Sequence, residues 1–360
     1  MWRSCAENYM INYMERKLLR GIAGAVIFGT VACSAYAVTN GTQAGAFLMI
    51  ANGARPTAMG EAFSGVADDL SAVSWNPAGL ANMTSMQAQI SYAAWFADTG
   101  FSTVSVGGPV FPGHVIAATF YAFHVPRIAN VPSEIEAPVD LSDYAVGLNY
   151  AWAMTDRLAV GGGARLLSTD IRQEGSPSSA ASGALLDLGF LYKNDDPPVS
   201  GAIVLQNMGP RMKFRDADAP TPFWARLGFG WRAYRDEWLN MTGAFDASFP
   251  VDTRYHLQWP EGGIAEAYKT SIKGPSQNRF NFGIGAECWF ADVLALRGGY
   301  TIRMGSDISS PSAGAGLRFT VEPFVYTIDY SYSFWGALSS NVSRVSFAMR
   351  LLPGPAAPAE

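Results

Sequence analysis

Residues 141–172 read LSDYAVGLNYAWA, then MTDR, then LAVGGGARLLSTDIR, and their pattern decides the fold. In the first segment Tyr144, Val146, Leu148, Tyr150 and Trp152 share one face, while Ala145, Gly147, Asn149 and Ala151 share the other. Side chains alternate across a strand, so this is a strand with one apolar face and one small or polar face. After the turn Met154-Thr155-Asp156-Arg157, Leu158, Val160, Ala164 and Leu166 continue the apolar face, with Gly161, Gly163 and Arg165 opposite. The pattern recurs along most of the chain. A closed antiparallel barrel with lipid outside and a polar interior accounts for it, because spanning strands satisfy their backbone only in a ring without edges.

Composition points the same way. The chain has 360 residues, of which 49% are hydrophobic and only 15% charged, against roughly a quarter charged in soluble domains. No stretch reaches the roughly 18 consecutive apolar residues of a spanning helix, so strands must do the crossing. The net charge of −5 gives no basic footprint, which argues against nucleic acid as a partner.

The N-terminus carries the pattern of an export signal. Arg16, Lys17 and Arg20 form a positive region, Gly21 to Ala32 an apolar core, and Ala35-Tyr36-Ala37 an A-x-A cleavage site. Met10 or Met14 is an alternative start. Cys33 raises a lipoprotein alternative, but Thr30 stands where a lipobox usually has Leu, so cleavage after Ala37 is preferred. Cys5 and Cys33 then leave with the signal, and Cys288 alone cannot form an internal disulfide. The mature net charge becomes about −7.

Residues 38–85 do not alternate. Ala58, Met59, Ala62, Phe63, Val66 and Leu70 recur at helical spacing, which predicts a helical stripe interrupted at Gly60 and Gly65. Asp68, Asp69 and Ser71 can cap a second helical turn from Ala72 to Trp75, and Asn76-Pro77 forces a turn after it. This segment reads as an insert ahead of the strands. From Met86 onward about fourteen strands are expected, near 86–95, 101–109, 114–125, 141–153, 158–171, 182–193, 198–207, 223–234, 238–248, 280–290, 293–304, 312–320, 323–334 and 342–352.

Connections after even-numbered strands are short, whereas 126–140, 172–181, 208–222 and 249–279, all after odd-numbered strands, are long. Outer-membrane barrels place short turns in the periplasm and long loops outside, which predicts periplasmic termini in a Gram-negative-type outer membrane. Trp95, Trp152, Trp231, Trp289, Tyr92 and Tyr150 fall near strand ends, as an interfacial girdle would, although aromatics favour strands in any case. The last strand alternates Val345, Phe347, Met349 and Leu351 against Arg344, Ser346, Ala348 and Arg350. The expected organisation is therefore a signal peptide at 1–37, a compact insert at 38–85, a transmembrane β-barrel at 86–352 and a tail at 353–360.

The insert at 38–85 carries the most specific pattern. Gly53-Ala54-Arg55-Pro56-Thr57-Ala58-Met59-Gly60-Glu61-Ala62-Phe63, Val66-Ala67-Asp68-Asp69 and Trp75-Asn76-Pro77-Ala78-Gly79-Leu80 together resemble the PorV/PorQ family of outer-membrane proteins. That family is similar to the FadL-like long-chain fatty-acid transporters. Gly41-Thr42 and Ala46-Phe47-Leu48 also look like the start of mature chains of this type. The matching block spans about 40 residues, and the remainder matches in architecture only. The resemblance implies a fourteen-stranded barrel holding an N-terminal plug, with Gly60, Asn76, Pro77, Ala78 and Gly79 as plug motif. It implies two roles: PorV-like members act in type IX secretion, helping deliver and attach exported proteins, and FadL-like members pass hydrophobic molecules through a plugged lumen.

The alternation puts Arg165, Asp187, Arg226, Arg232, Asp246, Glu287, Arg297, Arg303, Asp329, Arg344 and Arg350 in the lumen. A lipid-facing Arg or Lys at mid-depth costs about 2–4 kcal/mol, so these residues hold the register. They can form a charged conduit, a clamp on the plug, or a salt-bridge network filling the lumen. Asp68 and Asp69 are expected to cap a helix rather than to act together, since neighbours on a turn point apart. His114, His124 and His256 have no metal-ligand spacing, and neither they nor Cys288 make a zinc cluster. Gly161-Gly162-Gly163 lies inside a strand rather than a phosphate loop, and no G-x-S-x-G elbow occurs. Neither catalysis nor a cofactor is expected.

Two functions follow. In the first, long loops, especially 249–279 with Ile264, Ala265 and Tyr268, engage secreted proteins or secretion components. In the second, the plug gates hydrophobic small molecules in an apolar pocket lined by Phe47, Leu48 and Phe63. An open porin-like role fits less well, because a plug blocks free diffusion.

Overall fold

The alternation at 141–172 becomes a wall with two chemistries. Tyr144, Val146, Leu148, Tyr150 and Trp152 are exposed on its outer surface, while Ala145, Asn149 and Ala151 are buried inside. The computed structural model describes residues 44–125, 139–173, 178–214, 218–250, 280–304, 309–335 and 340–352. All belong to the unit Ala37–Glu360. The expected signal peptide, the loop positions His256, Ile264, Ala265 and Tyr268, and the tail 353–360 lie outside the described residues.

Every expected strand is present. They are β1 (Gln87–Ala94), β2 (Gly100–Phe111), β3 (His114–Val125), β4 (Val139–Ala153), β5 (Leu158–Gln173), β6 (Ser179–Asp195) and β7 (Pro198–Met208). After a two-stranded ribbon, β8 (Met212–Lys213) with β9 (Asp218–Ala219), follow β10 (Trp224–Arg235), β11 (Leu239–Pro250) and β12 (Asn281–Phe290). β13 (Leu294–Arg303), β14 (Ser310–Val321), β15 (Phe324–Trp335) and β16 (Ser340–Leu351) complete the chain. Sequential neighbours pair antiparallel, β7 pairs with β10, and β16 returns to β1 with Gln87 opposite Arg350. The ring is closed and leaves no edge.

One rim carries tight turns. At Asp236, Tyr234 Oη and the backbone N–H groups of Trp238 and Leu239 all donate to the carboxylate, holding its pKa below the usual range and fixing the turn between β10 and β11. The other rim is uneven. β6 continues to Ser179, but its pairing with β7 stops at Leu186 opposite Met208. A register shift lies just below, where Asn207 (φ 59°) turns its N–H to Asp187 Oδ1 at 2.7 Å. The stretch 208–222, expected as plain loop, forms the β8–β9 ribbon because Met212 buries itself against Gly183 of β6.

The plug differs from its expected helical stripe. A short helix, Ala54–Ala58, gives way at Gly60 (φ 63°) to turns, so Ala62, Phe63 and Val66 are not on one helix face. The apparent periodicity comes from a chain that touches the wall on several sides. The expected turn at Ala72–Trp75 is present, and a 3₁₀ helix follows at Pro77–Asn82. An even strand count brings the start of β1 and the end of β16 to one rim. The plug then carries the chain through the lumen, so Ala44 donates to Pro220 O at the uneven rim while Leu352 donates to Pro323 O at the tight-turn rim.

The aromatic girdle needs correction. Tyr92, Tyr150, Trp152 and Trp231 are exposed on the outer wall, but Trp289 is buried and Trp95 half-buried inside. Trp289 shares the parity of Glu287, and Trp95 that of Ser91, so both point inward. Leu148→Arg on the outer face of mid-β4 should cost about 2–4 kcal/mol, whereas Leu294→Arg at the tight-turn rim should cost about 0–1 kcal/mol. Urea unfolding from lipid vesicles measures both, and equal costs would contradict this placement of the bilayer.

Candidate functional site

The lumen is filled by backbone as much as by side chains. Gly60 needs its left-handed conformation, and an added Cβ would stand 2.5 Å from Ile284 O of the wall. The Asn76-Pro77-Ala78 turn presses on β5 and β6 in the same way: a Cβ on Gly161 would lie 2.6 Å from Pro77 O, and one on Gly189 3.0 Å from Pro77 Cδ. Of the glycine run inside β5, Gly161 packs against the plug. Gly79 passes equally close beneath Ala67. Asn76 is fully buried and locks the turn, accepting from Ala78 N at 3.1 Å and donating to Ser64 O at 3.0 Å and Phe190 O at 3.3 Å. Gly60, Asn76, Pro77 and Ala78 thus meet the wall closely, while Gly79 packs within the plug.

Wall side chains satisfy the irregular plug backbone. Ser346 Oγ accepts from Ala54 N at 2.9 Å, and Asp246 Oδ2 accepts from Ser64 N at 3.0 Å. Thr301 donates to Gly60 O at 2.9 Å, Ser200 to Gly65 O at 2.6 Å and Gln206 to Ser74 O at 2.7 Å.

Charge pairing centres on Arg55, which the sequence reading passed over. Its Nε and Nη2 donate to the two oxygens of Glu287 at 2.8 Å each, and its Nη1 to Asp68 at 2.5 Å and Asp69 at 2.7 Å. Burial opposes the charge on Arg55, but Asp68, Glu287 and Asp69 together raise its pKa well above the ordinary value. The expectation that Asp68 and Asp69 diverge is corrected, since both reach the same guanidinium. Asp69 also accepts from Ser71 N at 2.7 Å ahead of the helix, but Ser71, the N-cap, makes no side-chain capping bond, so the expected capping of the Ala72–Trp75 turn is corrected: the carboxylates serve Arg55 instead. Arg297 extends the network to Glu287 and Asp329 at 2.6 Å each.

The remaining lumen charges divide between clamp and filler. Arg303 pairs with Glu61 of the plug, and Arg344 donates to Ala51 O at 3.2 Å. Arg226 lies 3.8 Å from Asp246 and packs over the Trp75 ring at 4.7 Å. Arg165 pairs with Asp187 and donates to Asn207 at 2.7 Å, wholly within the wall. Arg232 and Arg350 line the tight-turn mouth together with Arg318, a residue not singled out beforehand, which stacks 3.9 Å from the Trp289 ring centroid. Neither Glu61 nor Arg55 stands out by spacing. Their signal is that each lies in the motif block as a lone charge in an otherwise uncharged run. His114 bonds Tyr150 Oη at 2.6 Å on the outer face.

The plug leaves two chambers of different chemistry. At the uneven rim, a cavity of about 870 Å³ is lined by Phe47, Leu48, Phe101, Phe123, Trp224 and Trp335. Phe47 stacks on Phe123 with ring centroids 6.3 Å apart. Phe63, expected in such a pocket, lies instead in the plug core edge-on to Trp75, because the turn after Gly60 points it away from the mouth. At the tight-turn rim a polar cavity of about 380 Å³ is lined by Arg55, Asp68, Lys193, Arg318 and Arg350.

Removing one partner of a buried pair leaves the other unpaired, so Arg55→Ala should loosen the plug by about 3–5 kcal/mol. The expected result is faster proteolysis within residues 44–83 and larger single-channel conductance, with the barrel still folded; unchanged conductance and protection would refute the clamp.

A family model described as type IX secretion system protein PorV matches residues 35–244, more than half of the 360. No curated protein matches the chain. Among solved structures, the toluene transporter TbuX of Ralstonia pickettii is 13% identical, with a TM-score of 0.56 over 85% of this chain and 100% of that one. A Pseudomonas aeruginosa FadL homologue is 12% identical, with a TM-score of 0.57 over 88% of this chain and 99% of that one. The P. putida toluene transporter TodX is 12% identical, with a TM-score of 0.53 over 84% and 99%. Identities this low establish a shared fold, the closed barrel. The family match spans the plug and the wall through the first half of β11, so the chain belongs to the PorV family of outer-membrane β-barrel proteins of type IX secretion.

Proposed function

We propose that the protein is a non-enzymatic outer-membrane barrel that aids the export or surface attachment of secreted proteins. The family match carries this reading. The clamped plug supports it: with Arg55 tied to Glu287 and the plug backbone bonded to the wall, the lumen offers no route for a polypeptide. Secreted proteins or secretion components then meet the barrel at its long-loop rim, where 249–279 is the largest connection. Residues 1–37 serve as signal peptide, 38–85 as plug, 86–352 as barrel and 353–360 as a tail. The tight-turn rim and the C-terminal tail face the periplasm, in keeping with the short turns there. A periplasmic start for the mature chain has less support, since Ala44 lies at the opposite rim.

A second reading, uptake of long-chain fatty acids or other hydrophobic molecules, is favoured by one observation. The aromatic cavity of about 870 Å³ is large enough for a small apolar ligand.

Affinity purification of the tagged protein from its native outer membrane, in mild detergent, separates the readings. Mass spectrometry should recover secreted proteins or secretion components that are absent from an unrelated barrel control. Apolar molecules without protein partners would instead sink the export role and support uptake.

A further inference from the structure

The aromatic chamber contains one charge that neither reading uses. Glu61 pairs with Arg303, Arg226 lies beside Asp246, and Arg165 pairs with Asp187. Asp143 differs. It stands on β4 opposite Phe123 of β3 and Thr169 of β5, lines the chamber, and is 6% exposed. No cation among the described residues pairs with it, and its Oδ1 has no hydrogen-bond partner. Thr169, buried on the same wall, stands directly opposite Asp143 and is its hydrogen-bonding neighbour.

A buried carboxylate without a partner is strongly unfavourable. It shares the chamber with aromatic rings: Phe123 is its partner on β3, and Phe47 stacks on Phe123 at 6.3 Å and lies edge-on to Phe101 at 6.2 Å. A carboxylate set among aromatic rings suits an ammonium, which takes the charge of the one and the quadrupole of the others. We infer that the chamber binds a small amphipathic ammonium compound, its head at Asp143 and Thr169 and its apolar body along Phe47, Phe123 and Trp224. A hydrocarbon or alcohol brings Asp143 no counter-charge, whereas an ammonium both pairs with its carboxylate and favours the ionised form, and a fatty carboxylate disfavours it. The inference rests on the second reading, that the chamber takes small apolar molecules.

Isothermal titration of the purified, detergent-solubilised barrel with hexylammonium, hexanol and hexanoate tests it. All three stay monomeric at useful concentrations and differ in the head group alone. Hexylammonium should bind about tenfold tighter than hexanol, with hexanoate weakest. Asp143→Asn should reduce the ammonium-to-alcohol ratio to near unity, and Asp143→Glu should keep it above unity. The Glu variant guards against a folding defect. Equal binding of all three ligands to the wild type, or a preference that survives in Asp143→Asn, overturns the ammonium site while leaving the ligand chamber standing. No binding of any of them overturns the chamber reading itself, and the inference with it.

Discussion

A strand in hydrocarbon has no water to bond, and everything else in this barrel follows from that. β1 must find β16, because an open edge would leave a row of unpaired backbone groups in lipid. Once the ring closes, alternation gives each strand an apolar outer face and sends every Arg, Asp and Glu of the middle of the wall inward. The lumen then inherits a dense set of charges that must be paired at close range. A water-filled channel could solvate them. This chain instead fills the space with its own N-terminal segment.

Filling a lumen with irregular backbone reverses the usual logic of a core. Large side chains would hold the plug off the wall, so backbone meets backbone at Gly60, Gly161 and Gly189. Polar groups that a helix or sheet would satisfy internally are met by Ser200, Gln206, Thr301 and Ser346 from the wall. The ion pairs follow the same economy. Glu287, 3% exposed, is tolerable only because Arg55 and Arg297 both reach it. Such pairs add less to stability than to register, since any other seating of the plug would strand a charge.

How much of this was legible depended on the length scale of each signal. Parity, a rule over two residues, placed every strand and aimed Arg165, Asp187, Glu287 and Asp329 inward. The same rule turns Trp95 and Trp289 inward, because parity, and not proximity to a strand end, decides which face a side chain takes. The plug was recognisable as a motif but not as a shape. Its helical spacing from Ala58 to Leu70 reflects contacts on several sides of a turning chain, which no single period describes. Arg55 escaped notice for a related reason: its decisive partner, Glu287, is 232 residues away. Distance in sequence hides a partner even when both residues are in plain view.

Asymmetry between the two rims is the last consequence of the uneven wall. β4, β5 and β6 rise beyond the end of β7, and the β8–β9 ribbon folds against that overhang through Met212 and Gly183. The plug begins there, tied to the same connection by Ala44 N to Pro220 O. An aromatic chamber therefore forms on the side where the wall is tallest. The opposite mouth, bounded by tight turns, collects Lys193, Arg318 and Arg350. Between them stands a plug held by ion pairs and backbone bonds to strands on several sides of the ring. The long-loop side therefore presents aromatic rings, the carboxylate of Asp143 and the arginines Arg165, Arg226 and Arg303, set apart by the plug from the basic mouth behind it.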